Sequence, residues 1–195
     1  MMLKKIICSS LLLMLAAASA QAGIIRGKAE GGKLLKKSPA VVYLADVKGD
    51  FIQPAQNPTM DQRNMTFIPH VLAVQTGTTV DFLNNDEVRH NVFSPSKEKY
   101  NLGTWPRGEV KPYTYTEQGV YNQLCNVHPE MEAFVVALDT PYFATTDADG
   151  NFEISGVPEG EYTVKVWHEK LKFIKQTAVV PENGIVEASL QKRGR

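Results

Sequence analysis

Short runs of β-branched and aromatic residues recur along the chain, and most alternate apolar with polar positions between clusters of glycine, proline, asparagine and aspartate. Period-two alternation bounded by turn formers predicts strands. Residues 24–28 and 40–44 read as a first hairpin, and the Gly/Pro/Asn content of residues 48–60 reads as a connection. Residues 67–74 and 79–83, turning at Thr76-Gly77, read as a second pair. Residues 91–93, 113–116 and 120–124 continue the pattern, with 94–112 loop-like, and 133–138 is a β-branched, buried-looking strand. A hairpin tip is predicted over 145–154, and strands over 162–167, 173–180 and 185–190. No segment has a convincing helical period, so the fold class expected is all-β, with a composition shift near 48–60 marking a boundary.

The amino terminus departs from this pattern. Lys4 and Lys5 precede an apolar run over residues 6–18, and Ala20-Gln21-Ala22 before Gly23 fits a small-residue cleavage site. Residues 1–22 are therefore expected to be a secretory signal, with the mature chain in the periplasm. No later run approaches the roughly 20 apolar residues of a membrane span. Beyond residue 22 there are 19 basic and 21 acidic side chains, a formal charge of −2. That balance gives no field for nucleic acid or anionic lipid. Cys8 falls inside the leader, so Cys125 is left without an intramolecular partner in an oxidising compartment. Either it pairs between chains or a metal holds it.

Cys125-Asn126-Val127-His128-Pro129-Glu130-Met131 presents a thiolate, an imidazole and a thioether on one short loop after a strand. His90, in Arg89-His90-Asn91, can add a second imidazole from an earlier strand end. Two imidazoles, one thiolate and a weak axial thioether make the ligand set of a blue-copper electron-transfer site. His90, Cys125, His128 and Met131 are thus the predicted metal ligands. All in-plane donors are side chains and no Ser-His-Asp or paired-carboxylate arrangement stands out, which points to a carrier and not an enzyme. The spacing, with its upstream His-Asn, resembles the cupredoxins, and the short loop with Pro129 after its histidine resembles amicyanin and related methylamine-utilisation proteins.

That resemblance covers roughly residues 50–139. It implies a Greek-key β-sandwich with one type 1 copper, carrying single electrons between redox partners. It further implies that Asn91 ties the two ligand segments together, that a backbone amide there bonds the cysteine sulfur, and that partners dock near His128. Two other functions fit the same ligands: copper binding or delivery in the periplasm, and a structural envelope module stabilised by copper.

The other histidines are expected to be structural: His70 near a strand start and His168 after Trp167. Asp147, Asp149 and Asn151 open like a calcium loop, but Gly150 and the missing closing glutamate do not fit one. Trp105, Tyr113, Tyr115 and Tyr121 are read as core. The carboxy-terminal third resembles carboxypeptidase-regulatory or transthyretin-like modules through Thr146-Asp-Ala-Asp-Gly-Asn-Phe152 and Val157-Pro-Glu-Gly-Glu-Tyr162, which implies a second small transthyretin-like β-sandwich. Such modules open with a strand, a turn and a Pro-Ala-led second strand, which here lie only at residues 24–44. Residues 24–48 with 140–195 are therefore expected to form one discontinuous module, with the copper domain, 51–139, inserted. The competing arrangement joins 24–139 as one sandwich and leaves the tail separate.

Overall fold

The computed structural model describes residues 22–181 and 184–191. The expected leader lies outside the described residues except for Ala22. Sixteen strands and one 3₁₀ turn make up the described fold, and the all-β expectation holds. No helix among the described residues is long and apolar enough to cross a membrane.

The first two strands, β1 (Gly23–Ala29) and β2 (Val41–Ala45), do not form the predicted hairpin. The 3₁₀ turn Gly32–Leu34 carries the chain from one sheet to another. There β1 lies between β13 (Asn151–Val157) and β16 (Ile185–Leu190), antiparallel to the former and parallel to the latter. Strand β2 lies between β12 (Phe143–Thr145) and β14 (Gly160–Trp167), antiparallel to both, with β15 (Gln176–Val180) beyond β14. Sequence-adjacent strands are natural partners, but β1 and β2 each contribute a buried face to the same core from opposite sheets. Ile25, Ala29, Val42, Leu44, Ile154, Val164 and Leu190 meet there.

The predicted tip over 145–154 is a corner between those sheets, since β12 and β13 belong to different ones. Gly150 explains its Asp-Gly motif. The residue has φ 91°, and a Cβ there would come within 2.3 Å of the Ala29 carbonyl oxygen, so both backbone conformation and space require glycine.

Between these segments lies a second pair of sheets. One runs β4 (Thr66–Ile68), β3 (Thr59–Arg63), β6 (Thr79–Asn84), β9 (Val110–Thr114), and the other β5 (Val71–Gln75), β11 (Glu132–Leu138), β10 (Gly119–Leu124), β7 (His90–Ser94), β8 (Tyr100–Trp105). Three expectations are corrected here. The strand expected over 67–74 is two strands in different sheets, broken at Pro69, and β6 pairs with β3 and β9 instead of with its predicted mate. Proline cannot donate to a ladder, so the break falls where the chain changes sheet. Residues 100–105, expected as loop, form β8, whose Gly103 and polar residues mask an edge strand. Thr59 and Met60, expected in the connection, begin β3.

Strand β11 is buried at every position after Glu132. Ala133, Val135 and Ala137 face the core shared with Phe82, Val92 and Trp105. Phe134, Val136 and Leu138 face the other way and pack with Val41, Tyr43 and Trp167 of the β2–β14 sheet. A strand covered on both sides reads as a continuous apolar run, and this one is the floor on which the two sandwiches meet.

Candidate metal centre

The segment from Cys125 to Met131 is the loop of the β10–β11 hairpin, whose ladder runs from Gly119↔Ala137 to Leu124↔Glu132. Leu124 also pairs with Phe93 of β7. The strand that begins with His90 therefore lies beside the strand that delivers Cys125. The loop is closed by the Met131 amide donating to the His128 carbonyl at 3.0 Å.

Side chains converge at that end. One donor atom from each of His90, Cys125 and His128 lies within 4.8 Å of the others. Nδ1 of His90 stands 2.9 Å from Nδ1 of His128 and 4.0 Å from Cys125 Sγ. His90 is fully buried, Cys125 and Met131 nearly so, and His128 half-buried. Met131 shares the apolar cluster that holds Cys125. All four residues named from the sequence are thus at one end of one sandwich.

The orientation of His90 follows from Asp86. Its Nε2 lies 2.8 Å from Asp86 Oδ2, a bond that places the proton on Nε2 and leaves the Nδ1 lone pair facing Cys125 and His128. Asp86 is held in turn by the amides of Met65 at 2.7 Å and Asn64 at 3.0 Å. Both residues have positive φ, 55° and 54°, as a tight two-residue hairpin between β3 and β4 demands. Burial opposes charge on the Asp86 carboxyl, but the Met65 amide, the His90 ring and the Asn64 amide outweigh it and hold the carboxyl below the usual range. Sequence reasoning passed over Asp86, although its position four residues before His90 was in view.

Asn91 does what the resemblance implied. Its amide approaches Cys125 Sγ at 3.5 Å, and its side-chain oxygen accepts from the Asn126 amide at 3.3 Å. Its Nδ2 donates to Asn101 Oδ1 and the Gly103 carbonyl, each at 2.8 Å. Asn84 organises the approach to His90, donating to the carbonyls of Val88 and Trp105 and accepting from the Asp86 amide. Two imidazole nitrogens and a thiolate directed at one buried point are donors suited to a thiophilic transition metal, copper among them.

The other histidines are engaged elsewhere. His70 meets the Glu132 carbonyl through Nδ1 at 3.1 Å and Glu169 through Nε2 at 3.4 Å. His168 meets the Ser38 carbonyl through Nε2 and accepts from the Lys170 and Leu171 amides at Nδ1. The Asp147 carboxylate accepts from the Asp149 and Asn151 amides and the Asn151 side chain, which fixes the turn.

Comparison with known proteins gives partial likenesses. A family model described as polysaccharide lyase family 4, domain II, matches residues 106–184, a stretch shared between the two sandwiches. No curated protein sequence matches the chain. Among solved structures, a purple cupredoxin from Nitrosopumilus maritimus is 23% identical, covering 42% of this chain and all of its own, with a TM-score of 0.40. A reduced amicyanin variant is 22% identical over 50% of this chain and 98% of its own, at 0.41. A copper-containing nitrite reductase from Thermus scotoductus SA-01 is 22% identical over 58% of this chain but only 28% of its own, at 0.42.

Proposed function

We propose that the chain is a periplasmic type 1 copper protein that passes single electrons between redox partners and is not itself an enzyme. The convergence of one donor atom from each of His90, Cys125 and His128 within 4.8 Å, with His90 and Cys125 buried, carries this reading. Copper bound there would supply a one-electron couple. The residues do the remainder: Asp86 and Asn91 hold the donors so that little rearrangement accompanies a change of charge. Met131, buried in the apolar cluster that holds Cys125, would add a thioether donor. The half-buried His128 ring, between exposed Val127 and Pro129, is the exit to a partner. Export by residues 1–22 provides the periplasmic location.

Residues 24–48 and 140–195 act as one discontinuous platform into which the copper domain, 51–139, is inserted. The ladders joining Val41–Ala45 to β12 and β14 support this. Two chain connections and an apolar interface then fix the copper face relative to the platform.

Copper delivery is the second reading, favoured by the exposure of the loop around His128. Copper titration and voltammetry of the mature protein separate the two. A carrier gives an intense visible thiolate-to-copper band and reversible cycling, and Cys125→Ser lacks the band. A band that survives Cys125→Ser sinks the site. Copper binding with irreversible cycling favours delivery.

A further inference from the structure

Four of the seven tyrosines, Tyr100, Tyr113, Tyr115 and Tyr121, gather in the sandwich that holds Cys125. Tyr113 stacks on Tyr100 with ring centroids 3.7 Å apart, meets Tyr115 at 5.0 Å, and Tyr115 meets Tyr121 at 4.9 Å. Core packing accounts for rings in contact. It does not account for the arrangement of their hydroxyls.

The Tyr100 and Tyr115 hydroxyls lie 2.7 Å apart, and Tyr100 donates to the buried amide oxygen of Gln123. An amide is too weak a base to take the proton that a phenol gives up when it loses an electron. Tyr121 is different. Its hydroxyl donates to Glu98 Oε2 at 3.0 Å, with the Glu117 carbonyl also at 2.8 Å. Among the described residues it is the one tyrosine bonded to a carboxylate. Glu98 is half-buried, and the Thr116 hydroxyl, then against burial the Tyr121 hydroxyl, hold its carboxyl below the usual range. It is therefore ionised at neutral pH and able to return a proton to solvent. Burial, then the Glu98 bond, pushes the Tyr121 phenol above its ordinary value, so Tyr121 is neutral in its resting state. Tyr121 and Gln123 are the buried positions of β10, which ends at Leu124, one residue before Cys125; four residues of extended chain span about 13 Å.

We propose that Tyr121 is a redox-active tyrosine with Glu98 as its proton acceptor, and that the four rings form an oxidation sink beside Cys125. A diffusible one-electron radical oxidant takes an electron from half-exposed Tyr113. The electron vacancy passes through the touching rings to Tyr121, which transfers its phenolic proton to Glu98. The products are the reduced oxidant, a neutral tyrosyl radical and a neutral carboxylic acid. Only the repair step rests on the copper reading: a reduced metal held by His90, Cys125 and His128 would supply the electron, and Glu98 would return the proton, to restore the phenol. Oxidation is thereby diverted from the Cys125 thiolate, whose higher oxidation products are irreversible.

The test uses the metal-free mature chain and a photogenerated ruthenium(III) polypyridyl oxidant, with the radical followed by electron paramagnetic resonance. Tyr121→Phe is expected to lose the long-lived tyrosyl signal, while Tyr43→Phe, in the other sandwich, retains it. Glu98→Gln is expected to slow radical formation by about a hundredfold, within the range of a positioned proton acceptor, with an unchanged near-ultraviolet dichroism reporting an intact core. A signal that persists in Tyr121→Phe, or a rate indifferent to Glu98→Gln, overturns the proposal. In a second arm, Cu(I)-loaded protein should quench the radical as its metal is oxidised. Failure to bind copper would overturn the copper reading alone, because the metal-free arm decides the role of Tyr121.

Discussion

The two sandwiches bury different chemistry. The core between β1, β2, β13, β14, β15 and β16 is mainly aliphatic, with Ile25, Leu44, Ile154 and Leu190 all but inaccessible, and its buried polar groups Ser38, Thr146 and His168 lie at its margin with the 3₁₀ turn and the corners. The core that holds Cys125 also encloses Gln62, Asn84, His90, Asn91 and Gln123. Buried polar groups cost stability unless they are hydrogen-bonded, and most of these are bonded in ways that aim His90, Cys125 or the segments beside them. Trp105 Nε1 and Gln62 Oε1 have no partner among the described residues. One sandwich is thus organised for folding, while the other gives up part of its core to position reactive groups. The shared strand β11 lets the first stabilise the second.

The largest expected effect separates them by what stabilises each. Copper at about a thousandfold its dissociation constant should add about 4 kcal/mol to the sandwich that binds it. Chelation should reverse that gain, and Cys125→Ser should lose it. Leu44→Ala, by contrast, should cost about 2–5 kcal/mol while leaving the visible band of loaded protein unchanged. Calorimetry with and without a chelator, beside the optical spectrum, checks both. A band displaced by Leu44→Ala would mean that the cores are not distinct.

A smaller effect is expected at Asp86, inside the polar core but outside the ligand set. Asp86→Ala removes the acceptor that fixes the His90 tautomer and frees the Met65 and Asn64 amides. Copper affinity should fall by about 10–100-fold, as for other groups that orient a ligating histidine, with the visible band kept. Competition against a chelator of known affinity measures it. Unchanged affinity would show that packing alone orients His90.

The comparison also explains what the sequence disclosed. The ligand loop was legible because Cys125, His128 and Met131 lie within seven residues and their chemistry is restrictive. Strands buried on one face, such as β6 and β14, announced themselves by alternation. Local signals misled on the first pair: β1 and β2 look like a hairpin because local sequence carries turn signals but not the identity of the sheet across the core, and only the module motifs joined residues 24–48 to 140–195. Strand β8 was hidden because Tyr100, Asn101 and Gly103 serve stacking and hydrogen bonding more than an apolar face. Tyr121 looked like an ordinary core aromatic since its partner Glu98 lies 23 residues away. Asp86 needed only its spacing from His90, and that signal was available.

The smallest effect concerns the seam between the sandwiches, where a histidine–carboxylate contact and an aromatic contact compete for the credit. His70 and Glu169 approach at 3.4 Å with their side chains 31% and 12% exposed, so part of their attraction is screened by water. Phe134 and Trp167 lie 5.3 Å apart between centroids, with Phe134 buried. Glu169→Gln keeps the size of the side chain and removes only the charge, which should cost under about 1 kcal/mol. Trp167→Ala strips apolar area from the same seam and should cost about 3 kcal/mol if the contact is as closed as a core. Denaturant unfolding of both variants, read at one pH and two salt concentrations, ranks the terms. A salt-sensitive loss in Glu169→Gln larger than the loss in Trp167→Ala would make the seam electrostatic. The expected order makes it a hydrophobic joint, with His70 serving mainly to hold the Glu132 carbonyl, next to Met131, within its own sandwich.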